Sequence, residues 1–279
     1  MSRYNSLIMK SKLSLLMITK NAEELLAKSL ESCRGLVDEV ILVDNRSTDS
    51  TCDIAKKYGA KIYLNSEQDL GKQRAFGLKK VTNEWVLVLD ADEVILEGLR
   101  REILHLKISN FQFPISKQVS NSNSQTSNYS GFYIPFQNHF LGRPVNYGGE
   151  NYKKLWLFRK DAVAIEPAQV HEEFKLKKGR PGVLKHKIFH YSYRSLRQTL
   201  GKFSDYAIRE ARQKSKKGEK TSLKKIILYP MHMFWARFVE DKGYKDGIFR
   251  IPLDLGFAYM EFLTYFLMLF IKNKKESSF

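Results

Sequence analysis

The chain has 279 residues, 43% of them apolar, enough for a substantial core and too many for a disordered chain. Its two cysteines, Cys33 and Cys52, exclude a disulfide framework and a cysteine-rich metal site, which fits a reducing compartment. The net charge of +17 is unevenly held: residues 1–174 carry 23 Lys and Arg against 21 Asp and Glu, whereas residues 175–279 carry 24 against 9. A neutral front and a basic back point to an anionic partner for the back half: phospholipid surface, anionic glycolipid or nucleic acid.

Lys12–Thr19 reads as a short buried strand, and its apolar run is too short for a signal-peptide core. Asn21 follows as a candidate cap for a helix over Ala22–Cys33. Glu39–Val43 is a second strand ending at Asp44. In the polar turn after it, Ser47, Thr48 or Asp49 can cap a helix that runs to Tyr58 and stops at Gly59. Lys61–Leu64 is a third strand, and Gly71–Val81 a helix with Lys72, Gln73 and Arg74 in its first turn. Trp85–Leu89 is then a continuous apolar run, as expected of a strand covered on both faces. It ends in Asp90-Ala91-Asp92-Glu93. Side chains two apart on an extended chain share a face, so Asp90 and Asp92 can converge on one divalent cation, or divide between cation and ligand. A solvated acidic turn is the alternative.

The β-α-β-α-β-α-β rhythm over about 80 residues implies parallel strands joined by right-handed crossovers. Thr19, Asp44, the loop before Arg74, and Asp90 with Asp92 then fall on one rim of the sheet, where open α/β sheets bind ligands. No Gly-x-Gly-x-x-Gly follows the first strand and no phosphate loop ending in Gly-Lys-Ser/Thr occurs, which disfavours dinucleotide dehydrogenases and P-loop NTPases.

Taken together, Leu15–Asn21, Val40–Thr51, Gly71–Gly77 and Val86–Glu93 resemble the family 2 glycosyltransferases, which have the GT-A fold. Farther along, Asn138–Gly142, Leu157–Arg159, Val170–Glu172 and His190–Tyr193 are similar to bacterial lipopolysaccharide core β-glucosyltransferases. An aspartate phosphatase is also similar at Asp-x-Asp-x-Val, but there the motif ends the first strand, and here it ends the fourth. The resemblance implies an α/β GT-A domain over 1–193, with a Rossmann-like, mostly parallel nucleotide-sugar half (1–110) and a mixed-sheet acceptor half (132–193). It implies Asp44 on uracil, Arg74 near the donor's sugar or diphosphate, Asp90 on the ribose, and Asp92 ligating Mg²⁺ or Mn²⁺. Thr19 and Asn21 belong to the same donor set. Relatives often carry Glu directly after Asn21; this chain has Ala22 there, and Glu23 is the candidate to take over that contact. Glu172 is implied as the base that takes the acceptor hydroxyl's proton, and His190 as a further metal ligand or a structural anchor.

Residues 116–131, rich in Ser, Asn and Gln, read as a low-complexity insertion. From 194 to 279 the pattern is helical, basic and aromatic. An apolar stripe of Leu196, Leu200, Phe203, Tyr206 and Ala207 runs beside Arg194, Arg197, Lys202 and Arg209, candidates for acceptor or membrane contact. A helix interrupted at Pro230 and the apolar run Leu255–Ile271, which contains Glu261, complete the region; interfacial helices, core or dimer helices and a span are the three readings. The sequence thus predicts an inverting, metal-dependent transferase moving a hexose, glucose by resemblance, from a UDP-sugar to a membrane glycolipid such as the lipopolysaccharide inner core. It is expected peripherally on the cytoplasmic face of the bacterial inner membrane. Another cell-envelope glycosyltransferase is the near alternative. A nucleic-acid-binding protein is the distant one, disfavoured because no nucleic-acid motif is present. A degenerate glycan-binding module is disfavoured by intact Asp90, Asp92 and Glu172. Oligomeric state is not legible.

Overall fold

A computed structural model describes residues 11–111, 129–166 and 173–271. These residues divide into two units, one of residues up to 135 with 153–166 and 173–189, the other of 136–152 and 190–271. The insertion expected over 116–131 lies almost wholly outside the described residues, as does Glu172.

The first unit opens with β1 (Leu13–Thr19), α1 (Glu23–Ser32), β2 (Glu39–Asp44), α2 (Thr51–Lys57), β3 (Lys61–Leu64) and α3 (Leu70–Lys80). It continues through β4 (Trp85–Val88), β5 (Glu93–Ile95) and α4 (Glu97–Ile108). β1 pairs in parallel with both β2 and β4, and β2 with β3, so Thr19 lies opposite Asp44. After β6 (Tyr129–Phe140), β7 (Arg143–Val145) and β8 (Lys153–Arg159) the sheet turns mixed. β8 runs antiparallel to β4 and to the first part of β6, giving the order β3-β2-β1-β4-β8-β6. β9 (Val163–Glu166) and β10 (Glu173–Leu176) form a separate antiparallel pair, and β11 (Arg180–Val183) adds in parallel to β6. The architecture is therefore α/β with a mostly parallel half and a mixed half, as expected.

Leu15, Leu16, Leu42, Val86 and Leu87 are wholly buried, because helices cover the parallel strands. One glycine sets how closely they do so. A Cβ at Gly77 would meet Leu16 Cδ1 at 2.5 Å and Val43 Cγ2 at 2.8 Å, so only glycine lets α3 lie this near β1 and β2. Arg74, one turn earlier on that helix, is brought to the strand ends as a result.

Local capping differs from the sequence reading. Asn21 is not the cap of α1: it sits at φ +48°, outside the extended region an N-cap uses, and its Oδ1 accepts from Thr48 N at 2.8 Å. The two helix starts instead cap one another. Ala22 N donates to Thr51 Oγ1 (2.7 Å), Glu23 N to Asp49 Oδ2 (3.1 Å), and Ser50 N to Glu23 Oε2 (3.0 Å). A pattern read along one helix cannot reveal caps supplied by another.

The second unit holds the end of β6, β7, the end of β12 (Ile188–Tyr193), α5 (Leu196–Lys216), α6 (Leu223–Trp235) and α7 (Ile251–Leu267). On α5 the buried face is Thr199, Phe203, Ala207, Ala211 and Ser215, whereas Leu196 and Leu200 are exposed. α7 approaches this face closely at Phe203: a Cβ at Gly256 would meet the Phe203 ring at 2.5 Å. α6 runs through Pro230 and widens into a turn of π-helix at Ala236–Glu240, and Ile226 packs with Tyr265 and Met268 of the α7 end.

A buried ion network ties this unit together. Arg250, wholly buried, donates from Nε to Asp254 (3.0 Å), from Nη1 to Asp246 (3.0 Å) and from Nη2 to Gly148 O (3.0 Å). Arg237 bridges Glu150 and Asp254 and lies 3.5 Å over the Phe257 ring. Removing one member of such a network leaves charge uncompensated in low dielectric. Arg250→Met is expected to cost about 3–5 kcal/mol, read as a lowered thermal midpoint of the second unit; an unchanged midpoint would show that the network is not a stabilising element.

Candidate functional site

β4 can carry no charge along its length, since every residue from Trp85 to Leu89 is buried. The chain turns at its end, with Glu93 N donating to Asp90 O at 3.0 Å, so Asp90, Ala91 and Asp92 form a tight acidic turn. The third acid goes inward. Glu93 is fully buried, and its Oε2 accepts from Asp90 N and from Trp156 Nε1, each at 3.0 Å. This carboxylate locks the turn, while Asp90 and Asp92 stay partly exposed on the rim.

Arg74 Nη2 donates to Asp90 Oδ1 at 2.6 Å from a side chain only 3% exposed. Its guanidinium also lies 5.3 Å from the centre of the Trp156 ring, on which the Lys154 ammonium sits at 4.6 Å. Burial pushes the Asp90 carboxyl up and Asp92 adds to this, but Arg74 and Lys154 outweigh both and hold it below the usual carboxylate range. The rim thus juxtaposes two cations, an indole and two acids, a set suited to a ligand carrying both phosphates and a polyol.

The neighbouring strand ends form a second cluster. Asp44, 1% exposed, accepts from Thr19 Oγ1 (3.1 Å), Ser47 Oγ (2.6 Å) and Ser47 N (2.8 Å). Ser47 Oγ in turn accepts from Asn21 N at 2.8 Å, which fastens the β1 exit to the β2 turn. Thr19, Asn21 and Asp44 are therefore brought together, and exposed Glu23 adjoins them through Ser50. Burial and the adjacent Asp44 raise the Cys52 thiol pKa.

His190, in the second unit, is held by its neighbours. Asn138 donates its amide to Glu150, so its Oδ1 accepts, from Tyr152 OH (3.1 Å) and from His190 Nδ1 (2.8 Å). Ser192 Oγ lies 2.7 Å from His190 Nε2. These bonds describe an anchored imidazole; ligation of a metal would require Nε2 to release Ser192. Arg194 and Arg197 are exposed at the start of α5, Lys202 lies over the Tyr193 and Tyr206 rings, and Arg209 is half-buried.

Glu93, Trp156, Lys154 and Ser47 were missed in the sequence. Glu93 could have been found as the third acid of the run; Trp156 and Lys154 carry no local signal, because only the antiparallel pairing of β8 with β4 brings them to this rim.

Residues 14–163 match glycosyl transferase family 2. Among curated proteins, the chain is 29% identical over 257 residues to an uncharacterized glycosyltransferase of Rickettsia typhi, covering 90% of this chain and 85% of that one. A Rickettsia conorii glycosyltransferase is 27% identical, with 90% and 88% covered. Among solved structures, S. aureus TarS 1–349 aligns over 92% of this chain and 90% of its own at 16% identity and TM-score 0.42. Glucosyl-3-phosphoglycerate synthase of Mycobacterium tuberculosis, in complex with Mn²⁺, UDP-glucose and phosphoglyceric acid, aligns over 30% of this chain and 34% of its own, at 24% identity and TM-score 0.27.

Removing the guanidinium tests the electrostatics of the rim. In Arg74→Gln the Asp90 carboxyl is expected to titrate higher than in the wild type, because burial is then opposed mainly by Lys154. In the wild type the folded pKa is depressed, so the pairing contributes fully above about pH 4 and is lost as pH falls through the lowered value. Carboxyl-carbon NMR titration of both proteins checks this, and an unmoved Asp90 resonance would contradict it.

Proposed function

Since the chain belongs to glycosyl transferase family 2 and is a glycosyltransferase acting on nucleotide sugars, we propose that its donor is a UDP-hexose, glucose by resemblance. The acceptor in this reading is a membrane glycolipid such as the lipopolysaccharide inner core, and transfer inverts the sugar carbon. The arrangement that supports it is the acidic turn after β4, with Asp90 held ionised by Arg74 while Asp92 stays on the rim.

The turn suits a hard divalent cation. Asp92 offers carboxylate oxygens at the rim, beside the paired Asp90. That composition fits Mg²⁺ or Mn²⁺ held by one or two carboxylates together with substrate phosphates. When bound, the ion supplies charge stabilisation to the departing diphosphate. The chain's own groups do the remainder. Arg74 orients Asp90 toward the ribose and adds positive charge where the diphosphate lies. Asp44 accepts three bonds from Thr19 and Ser47, and a carboxylate has about four acceptor sites, so a uracil N–H can add to these without displacing one. Glu172 takes the proton of the acceptor hydroxyl as the new bond forms.

Thermal unfolding against a panel of nucleotide sugars, with and without Mn²⁺, tests the donor. A ligand at 100 times its Kd adds about 2.7 kcal/mol, and this gain is expected for a UDP-hexose in the wild type and not in Asp92→Asn. No shift with any nucleotide sugar would overturn the proposal. Glu172→Gln is expected to keep donor binding and lose transfer by at least about 100-fold; near-normal turnover would remove Glu172 from the mechanism.

A further inference from the structure

The second unit exposes two apolar stripes. On α6, Leu223, Ile227, Met231 and Trp235 recur every fourth residue and are 55–74% exposed. On α7, Leu255, Tyr259, Phe262 and Phe266 follow the 4-3-4 spacing of one helix face and are exposed as well. This α7 face lies opposite the one that buries Leu253, Asp254, Gly256 and Thr264, so it is a second helix face rather than the edge of the core. The two helices pack through Ile226, Tyr229, Tyr265 and Met268, which makes them a single element with apolar surface on both members. A soluble monomer rarely leaves apolar surface of this extent uncovered.

Charge decides what covers it. Three of the unit's acids, Glu150, Asp246 and Asp254, are consumed inside, by Arg237 and Arg250, while Asp205, Glu240 and Asp241 stay exposed. Its lysines stay outside: Lys216, Lys217, Lys220 and Lys224 are all exposed around the turn from α5 to α6, where the Leu223 stripe begins. Lys272, Lys274 and Lys275 follow α7 in the sequence. Glu261, the acid in the middle of α7, lies aside from the stripe, where Glu210, Lys214 and Glu219 act on its carboxyl. A second copy of this surface would bring like charges together, whereas anionic lipid headgroups complement them. No described helix is long and apolar enough to cross a membrane.

We propose that the exposed face of the α6–α7 pair lies in the interfacial layer of an anionic phospholipid bilayer, with the lysines of the α5–α6 turn on its headgroups. The aromatic rings occupy the headgroup–acyl boundary, where exposed apolar side chains and flanking cations are both satisfied. This surface stands on α5–α7 alone and holds whichever nucleotide sugar the first unit binds.

Co-sedimentation of the full chain with vesicles tests it. Binding is expected to vesicles of phosphatidylglycerol and phosphatidylethanolamine and to be weaker in high salt, with little binding to phosphatidylcholine alone. The double variant Ile227→Glu/Met231→Glu and the triple variant Lys216→Gln/Lys217→Gln/Lys220→Gln should each weaken it at least about tenfold. All substituted side chains are exposed, so both variants should keep the wild-type melting temperature. Equal binding to neutral and anionic vesicles would overturn the proposal. So would absence of binding together with a dimer that Ile227→Glu/Met231→Glu dissociates. The UDP-hexose thermal shift, measured on the same variants, separates this outcome from failure of the donor reading, since neither variant touches the first unit.

Discussion

A strand covered by helices on both faces has no room for charge until it ends. β4 obeys this constraint, and the organisation of the first unit follows from it. Five buried apolar residues deliver three acids to one point, where each needs compensation. The three are resolved differently. Glu93 turns inward and is satisfied by Asp90 N and the Trp156 indole, Asp90 takes the Arg74 guanidinium, and Asp92 stays at the rim. Compensation of the acidic turn is what gathers two cations, an indole and two acids at one rim.

That compensation depends on elements far apart in the chain. Arg74 reaches Asp90 because Gly77 lets α3 lie close on β1 and β2, and Trp156 and Lys154 arrive on β8. Each contact crosses at least one strand or crossover connection. Loss of Gly77's small size would be felt at Arg74, one helical turn away, before any residue of the acidic turn was altered. The turn after β2 repeats the logic on a smaller scale: Asp44 is buried because Thr19, Ser47 and the backbone satisfy it.

The second unit holds two kinds of interior. Beside an apolar core of Phe140, Val145, Tyr193, Phe203 and Leu253 it closes acids and arginines into a buried network, and its surface carries further aliphatic and aromatic side chains. Arg237 and Arg250 need so many partners that they draw Glu150, Asp246 and Asp254 inward. The lysines, each with a compact and strongly hydrated charge, remain outside. The exposed apolar stripes are the surface that the proposed docking on lipid would use.

The sequence by itself determined the alternation of strands and helices, the parallel half, and the identity of the acids at the strand ends, because these rest on periodicity and on runs of apolar residues. Thr19, Asp44, Arg74, Asp90 and Asp92 were legible for that reason. Tertiary structure alone decided which side chains compensate them. The inward turn of Glu93, the indole of Trp156, and the crossed caps between α1 and α2 all join residues between 3 and 63 positions apart. It also decided the buried face of α5, where Gly256 of α7 makes room for the Phe203 ring while Leu196 and Leu200, which the helical pattern also pointed to, stay exposed. Periodicity reports how much of an element is apolar; only the partner's shape settles which part of it is buried.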